Sequence, residues 1–254
     1  MQKTDYGKIA STYDKRYNAN YLVNIENEIR NIILSNKFKT ILEAGCGTGR
    51  WISSLGDESK KIYGLDYSFE MIKIPKVNKL YLNLVNADAV NIPFKDNFFD
   101  LIFCVNAIHH FPDKGKFIYE CKRILTNNGM LAVFGVDPSV DKGWYVYDYF
   151  DSVYENDLKR IPSLKLLKSL LEIEKFADIE IKVVEEVNNT RIGTDVFNDP
   201  FLEKHHCSQL ANLSDEEYQK GITKIKNQIE KNPKTIFKTS VIFYLVSAKK
   251  TNGE

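Results

Sequence analysis

The chain has 254 residues, of which 43% are hydrophobic, and its formal net charge is +1. This length supports one α/β core, and the balanced charge creates no overall field that would attract nucleic acid or an anionic membrane. Four cysteines without C-x-x-C spacing and an N-terminus without an apolar signal segment indicate a reduced, cytoplasmic protein. We therefore expect a single domain over residues 1–254 that does not bind membranes.

The predicted elements alternate between helix and strand. Apolar residues from Leu22 to Ile33 lie mostly on one helical face, so residues 1–37 are predicted to form a helical cover. An amphipathic crossover helix is predicted from Phe117 to Leu125. Strands are predicted near residues 40–44, 61–66, 81–86, 100–105 and 130–136. This alternation predicts a doubly wound α/β sheet with helices on both faces.

The last third of the chain predicts a helix and two strands with a long insertion between the strands. The helix is predicted near residues 163–176, and the strands near 179–187 and at Ser240–Ala248. Residues 190–235 are more than a simple connection requires, and Ser214-Asp215-Glu216-Glu217 has the pattern of a helix capping box. We expect this insertion to form a helical lid.

A glycine loop follows the first predicted strand. Gly45, Gly47 and Gly49 fall where that strand passes into a helix, and Asp66 ends the next strand 21 positions after Gly45. In doubly wound folds, glycines at this place let a ligand lie against bare backbone, and an acid about 20 residues later binds ribose hydroxyls. The loop therefore predicts a site for an adenosine-containing cofactor, with a purely structural turn as the alternative.

The spacing of the glycines disfavours a dinucleotide. The dinucleotide motif is G-x-G-x-x-G, whereas here Arg50 stands where the third glycine should be. Glu43 beside the loop would repel a diphosphate and suits a cation better. S-adenosylmethionine has a ribose and a sulfonium but no phosphate, so it fits the loop. Two alternatives stay open: a non-catalytic S-adenosylmethionine-binding protein and, less favoured, an NAD(P)-dependent oxidoreductase.

With this loop, four further segments resemble the class I S-adenosylmethionine-dependent methyltransferases, in the small-molecule branch of the ubiquinone and menaquinone biosynthesis enzymes (methyltransferase type 11). The segments are Tyr6–Asp14, Asp66–Met71, Asn86–Phe94 and Phe98–Phe111. The resemblance covers roughly residues 4–137. It implies a seven-stranded Rossmann-like sheet of order 3-2-1-4-5-7-6 whose last strand is antiparallel.

The resemblance also implies which residues bind the cofactor. Asp66 is implied to hold both ribose hydroxyls, and Asp88 and Ala89 to contact the adenine. Tyr13 is implied to reach the carboxylate of the cofactor. The implied cofactor-binding residues are Tyr13, Glu43, Gly45, Cys46, Gly47, Gly49, Asp66, Tyr67, Met71, Asp88, Ala89 and Asn106.

Methyl transfer from a sulfonium needs mainly placement of the acceptor, and a general base only when the acceptor is protonated. His109 and His110 follow the fourth predicted strand, at the sheet edge where ligands bind, and are candidate bases. The alternative is that they only hydrogen-bond their own loop. Adjacent histidines point in different directions and no carboxylate stands at ligand spacing from them, so no metal site is expected.

Five residues outside the resemblance are candidates for the substrate pocket. Trp144 and Tyr145 begin an aromatic segment after the fifth strand, which would hold a planar acceptor or simply pack under the lid. His205, His206 and Arg191 are candidates at the lid, with exposed surface positions as the alternative. The fourth strand lacks an Asn/Asp-Pro-Pro-Tyr/Phe motif and the chain lacks a basic face, so we expect a small-molecule acceptor and no nucleic acid. A monomer or a homodimer is expected.

Overall fold

The structure is a computed structural model, and it describes residues 22–55, 60–73 and 82–251. The predicted segment Tyr6–Asp14, including Tyr13, lies outside the described residues, as does the predicted helical cover before Leu22. Within the described part of the chain, no helix is both long enough and apolar enough to cross a membrane.

Seven strands form a single mixed sheet. The strands are β1 Thr40–Ala44, β2 Lys61–Asp66, β3 Leu82–Asn86, β4 Phe99–Val105, β5 Leu125–Gly135, β6 Phe176–Ile192 and β7 Ile236–Lys250. Their order is β3-β2-β1-β4-β5-β7-β6, and β7 runs antiparallel to both of its neighbours. The predicted order is therefore confirmed. The order reverses between β1 and β4, and ligands of doubly wound sheets bind at the carboxyl ends of the strands at such a point.

Helices cover both faces of the sheet. The helices are α1 Val23–Asn36, α2 Arg50–Ser54, α3 Phe69–Lys73, α4 Lys114–Ile124, α5 Val146–Tyr149, α6 Val153–Arg160, α7 Leu164–Ile173, α8 Ser208–Ala211 and α9 Asp215–Lys231. On one face α1 and α2 bury Ile25, Ile29 and Ile52 against the sheet. On the other face α4 and α7 bury Phe117 and Leu167. Burial on both faces explains why the central strands are almost continuously apolar.

The last two strands are longer than predicted. Pairing between β6 and β7 extends to Ile192 and Ile236, whereas β7 pairs with β5 only from Tyr244 onwards. The first half of β7 and the second half of β6 therefore form a two-stranded extension beyond the rest of the sheet. The prediction was too short because much of the second half of β6 is polar and partly or fully exposed, so it lacks the alternation that marks a half-buried strand.

The connection between β6 and β7 is helical. It contains 3₁₀ turns at Gly193–Asn198 and Pro200–Leu202, followed by α8 and α9. The predicted capping box is present, since the Ser214 hydroxyl accepts from the Glu217 amide and the Glu217 carboxylate accepts from the Ser214 amide. This connection shares a separate apolar cluster with α5 and α6, and that cluster includes Phe150 and Ile225.

Candidate active site

The loop between β1 and α2 has the backbone conformation that glycine permits. Gly45, Gly47 and Gly49 all have positive φ, at 74°, 54° and 76°. A Cβ on Gly45 would stand 2.4 Å from Cβ of Ala107, so the loop also lies too close to the segment after β4 for a side chain. The amides of Gly45 and Cys46 both donate to the Leu65 carbonyl, at 2.7 and 3.0 Å. The turn is thus fixed against the end of β2.

Asp66 ends β2 directly beside this loop. Its carboxylate accepts hydrogen bonds from the Gly47 amide at 2.7 Å and from the Ser68 amide at 2.8 Å. Burial raises the pKa of Asp66 above its ordinary value, and these two backbone hydrogen bonds partly oppose that rise. The two amides orient the carboxylate at the mouth of the glycine loop, where a ribose would present its hydroxyls.

Glu43 and Cys46 face inward rather than into an open site. Glu43 is 1% exposed and accepts from the Ile52 amide at 3.3 Å, so its charge sits against the first turn of α2. Cys46 is 5% exposed, and its sulfur lies within 2.8 Å of where a Cβ on Gly64 would be. Cys46 therefore offers a ligand its backbone rather than its side chain.

The segments after β2 and β3 carry the residues predicted to bind the adenine. Met71 is buried, whereas Tyr67 is 61% exposed. Asp88 accepts from the Val90 amide at 3.1 Å, and Ala89 is buried next to it. These residues follow the carboxyl ends of β2 and β3, the two strands on one side of β1.

A pocket lies at the carboxyl ends of β4 and β5. Asn106, with φ of 48°, donates its amide to the Phe134 carbonyl at 2.9 Å and lines the pocket. His109 lines it too, whereas His110 is absent from the lining, although the two rings are only 4.0 Å apart. Much of the remaining wall is apolar and comes from β5, α7 and the residues before α7.

The chain matches known proteins over its first half. Residues 42–133 match the family model described as "Methyltransferase domain". The match covers less than half of the 254 residues, so it is a similarity to this family over that segment.

Among the curated proteins that the chain resembles, two show how far the sequence match extends. An uncharacterized protein of Methanocaldococcus jannaschii is 36% identical over 146 residues, which are 57% of this chain and 55% of that protein. A demethylmenaquinone methyltransferase of Listeria welshimeri is 26% identical over 150 residues, which are 55% of this chain and 64% of that enzyme. The chain therefore spans less than two thirds of the length of these relatives.

The fold comparison extends beyond the methyltransferase domain match. The structure of Haemonchus contortus phosphoethanolamine N-methyltransferase 2, in complex with phosphomonomethylethanolamine and S-adenosylhomocysteine, superposes with a TM-score of 0.61 at 18% identity. The superposition covers 99% of this chain and 61% of that chain. At this identity the likeness shows the fold alone, a Rossmann-like seven-stranded sheet with helices on both faces.

The aromatic segment after the methyltransferase domain match packs mainly with the helical connection. Tyr145 is 4% exposed and donates its hydroxyl to Asp199 at 3.0 Å, and burial raises its pKa. Trp144 packs edge-to-face on Tyr147 at 5.5 Å. Neither Trp144 nor Tyr145 lines the pocket at β4 and β5, so their contact with a substrate stays a prediction.

The other candidates from the sequence also lie apart from this pocket lining. Arg191 pairs with Asp195 at 3.3 Å. A ring nitrogen of His206 lies 2.9 Å from the Pro200 carbonyl, and His205 is exposed. A substrate role for these residues likewise stays a prediction. Among the described residues, no three His, Cys, Asp or Glu side chains are grouped as metal ligands.

Sequence reasoning missed Tyr244 as a pocket residue. Tyr244 pairs with Gly135 in the sheet and lines the pocket beside Asn106 and His109. Burial and the carboxylates of Asp141 and Asp137 raise its pKa. An antiparallel strand enters the sheet at the edge where its parallel neighbours end, so the middle of the last predicted strand could have indicated this position.

Proposed function

We propose that this chain is an S-adenosylmethionine-dependent methyltransferase that acts on a small-molecule acceptor. The observation that carries the proposal is the Asp66 carboxylate, fixed by the Gly47 and Ser68 amides beside three glycines with positive φ. A carboxylate held in this way accepts hydrogen bonds from two adjacent hydroxyls, which a ribose provides. The methyltransferase domain match and the neighbour crystallised with S-adenosylhomocysteine support the same cofactor.

The residues that would bind the cofactor surround the β1 loop. We assign the ribose to Asp66, and the adenine to Tyr67, Met71, Asp88 and Ala89. The remaining contacts come from Tyr13, Glu43, Gly45, Cys46, Gly47, Gly49 and Asn106. Bare backbone at the glycines lets the ligand approach closely, and buried Glu43 keeps a negative charge beneath a cationic sulfonium.

The acceptor would occupy the pocket at the ends of β4 and β5. S-adenosylmethionine supplies a methyl group already activated by the sulfonium, so this chain has to position the acceptor and exclude water. Placement of this kind contributes about 7–11 kcal/mol in well-oriented reactions. His109 and Tyr244 line the pocket and can hydrogen-bond the acceptor, and the imidazole of His109 can take its proton.

We also propose that the protein works in the cytoplasm as a monomer or a homodimer. The four cysteines, Cys46, Cys104, Cys121 and Cys207, are all buried and free, which suits a reducing compartment. Gel filtration and light scattering of the purified protein measure the oligomeric state.

The test has two parts. Calorimetric titration with S-adenosylmethionine, S-adenosylhomocysteine and NADH measures which cofactor binds, and transfer of a labelled methyl group across a metabolite panel measures turnover. We expect binding of the two adenosyl ligands and methylation of a small molecule. Binding of NADH alone would overturn the proposal.

A further inference from the structure

Arg160, the last residue of α6, has a guanidinium with unused hydrogen-bond donors. Its Nε donates to Oδ1 of Asp157 at 2.9 Å, and 11% of the side chain is exposed. Its Nη2 is buried without a hydrogen-bond partner, and no described residue accepts from Nη1. A buried donor without an acceptor costs free energy, so an anion that accepts from Nη2, with Nη1 as a second donor, would stabilise the arrangement.

The guanidinium is held in place from its other side. Asp157 is 1% exposed and accepts from the Tyr147 hydroxyl at 2.9 Å as well as from Arg160. Tyr147 in turn packs against Tyr154, whose hydroxyl donates to the Pro138 carbonyl in the segment after β5. This buried network fixes Nε and leaves the two terminal nitrogens, which match the two oxygens of a carboxylate or phosphate.

A second cation lies near Arg160. Lys114, at the start of α4, donates its Nζ to the Phe111 carbonyl at 2.8 Å. Burial lowers the pKa of Lys114, and repulsion from Arg160 lowers it further, although Asp113 acts in the opposite direction. Asp113 is exposed, and its side chain caps α4.

Arg160 directly precedes two residues of the pocket wall in the chain. Ile161 and Pro162 follow Arg160 directly in the chain, and both line the pocket together with His109 and Tyr244. Lys114 follows His109 by one short segment and begins the helix after it. The pocket wall itself is largely apolar and does not include Arg160, which is joined to it through Ile161 and Pro162.

We propose that the methyl acceptor carries an anionic group, a carboxylate or a phosphate, which binds the terminal nitrogens of Arg160 and positions the acceptor in the pocket. This inference rests on the proposed methyltransferase function. Arg160 is thus a specificity-determining residue. An acceptor in which the anionic group is masked should bind poorly, because the guanidinium donors then stay unpaired.

The first experiment measures anion binding without knowledge of the acceptor. Inorganic phosphate and acetate are titrated into the protein saturated with S-adenosylhomocysteine, for the wild type, Arg160→Lys and Lys159→Gln. Lysine keeps a charge for Asp157 but lacks the two-nitrogen face, and Lys159 is an exposed neighbour on the same helix. We expect one anion to bind the wild type and Arg160→Lys to weaken it about 10-fold, with Lys159→Gln within about 2-fold. Failure of both anions to bind, or equal behaviour of the two variants, overturns the inference.

The second experiment compares acceptors in pairs. A carboxylate is tested against its amide and a phosphate monoester against its alcohol, and the arm that is methylated identifies the anion. We expect Arg160→Lys to raise KM for the anionic member about 10-fold and to leave kcat within about 2-fold. If Arg160→Lys does not fold, the double variant Asp157→Asn with Arg160→Gln is used in its place, because it removes both charges of the buried pair.

The two proposals fail in different ways. If S-adenosylmethionine binds and the neutral members are methylated as well as the anionic ones, the inference about Arg160 is wrong and the methyltransferase proposal stands. If S-adenosylmethionine does not bind at all, the methyltransferase proposal fails first.

Discussion

Arg123 and Glu120 form a two-point ion pair on α4, with Nε to Oε1 at 3.0 Å and Nη2 to Oε2 at 2.8 Å. The same guanidinium donates to the carbonyls of Ile92 and Phe94, and Glu120 accepts from the Ile92 amide. The pair therefore fixes the loop between β3 and β4, which begins with the residues assigned to the adenine.

Replacement of Arg123 by Ala should destabilise the fold by about 3 kcal/mol, because it leaves the buried Glu120 carboxylate without its partner. Urea unfolding measures the loss. The control is Lys168→Ala. Lys168 pairs with Glu172, and both side chains are more than half exposed, so this substitution should lower the free energy of unfolding by less than about 0.5 kcal/mol. Equal losses in the two variants would show that the loop between β3 and β4 does not depend on the ion pair of Arg123 and Glu120.

Cofactor affinity should fall on acidification at a pH above the ordinary pKa of aspartate, which is 3.8. Burial raises the pKa of Asp66, and a protonated carboxyl accepts fewer hydrogen bonds from the ribose. Affinity for S-adenosylhomocysteine, measured by calorimetry, should therefore decrease as pH falls through the raised value. In Asp66→Asn this pH dependence should be absent and the affinity low throughout.

The raised pKa of Asp66 affects folding stability in the opposite direction: over the same pH range, acidification lowers the affinity for the cofactor but increases the free energy of unfolding. Because the folded state holds the Asp66 proton more tightly than the unfolded state, Asp66 makes the unfolding free energy fall as pH rises from its ordinary pKa to its raised one. Asp66→Asn should remove this component. A wild-type affinity that does not change with pH over that window would contradict the ribose assignment.

The strands and the glycine loop between β1 and α2 could be predicted because the sequence patterns that indicate them are local. The strand-loop-helix pattern alone indicates a glycine with positive φ at Gly45 and a carboxylate at Asp66. In the structure the Gly47 amide links this loop to Asp66. The strand order followed from the resemblance rather than from periodicity. The lengths of β6 and β7 were not predictable, because their outer halves pair mainly with each other and their side chains are largely exposed.

The pocket wall was harder to predict than the loop. The roles of Tyr244 and Arg160 depend on their neighbours in the fold. Tyr244 lies beside the end of β5, and Arg160 lies beside the buried Asp157. Such contacts join residues from distant parts of the chain. The aromatic segment at Trp144 was a stronger signal in sequence, yet it packs largely with the helical connection.

Gly45→Ala should destabilise the protein by more than about 1 kcal/mol and weaken cofactor binding. The backbone at Gly45 has φ of 74°, and the new Cβ would collide with Ala107. Gly115→Ala is the matched control, because Gly115 lies in α4 and its Cβ would meet only ordinary contacts from 3.4 Å. That variant should be neutral or stabilising by up to about 1 kcal/mol. Thermal unfolding measures both, and a similar effect of the two changes would rule out the close approach at the loop.

His109 and His110 provide a test of which histidine serves the acceptor. Only His109 lines the pocket, although the two rings are in contact at 4.0 Å. If the acceptor loses a proton on methylation, His109→Gln should lower kcat by about 10²–10⁴-fold, whereas His110→Gln should change it by less than about 10-fold.

The pH dependence of kcat distinguishes proton transfer by His109 from a structural role of the two histidines. A base at His109 gives the wild type an acidic limb in the pH profile of kcat, and His109→Gln should remove that limb. Tyr244→Phe serves as the companion variant, because it removes a hydroxyl from the same pocket and keeps the ring. If His109→Gln and His110→Gln lose activity equally and both keep the acidic limb, then the pair orients the loop after β4 and neither residue takes the proton.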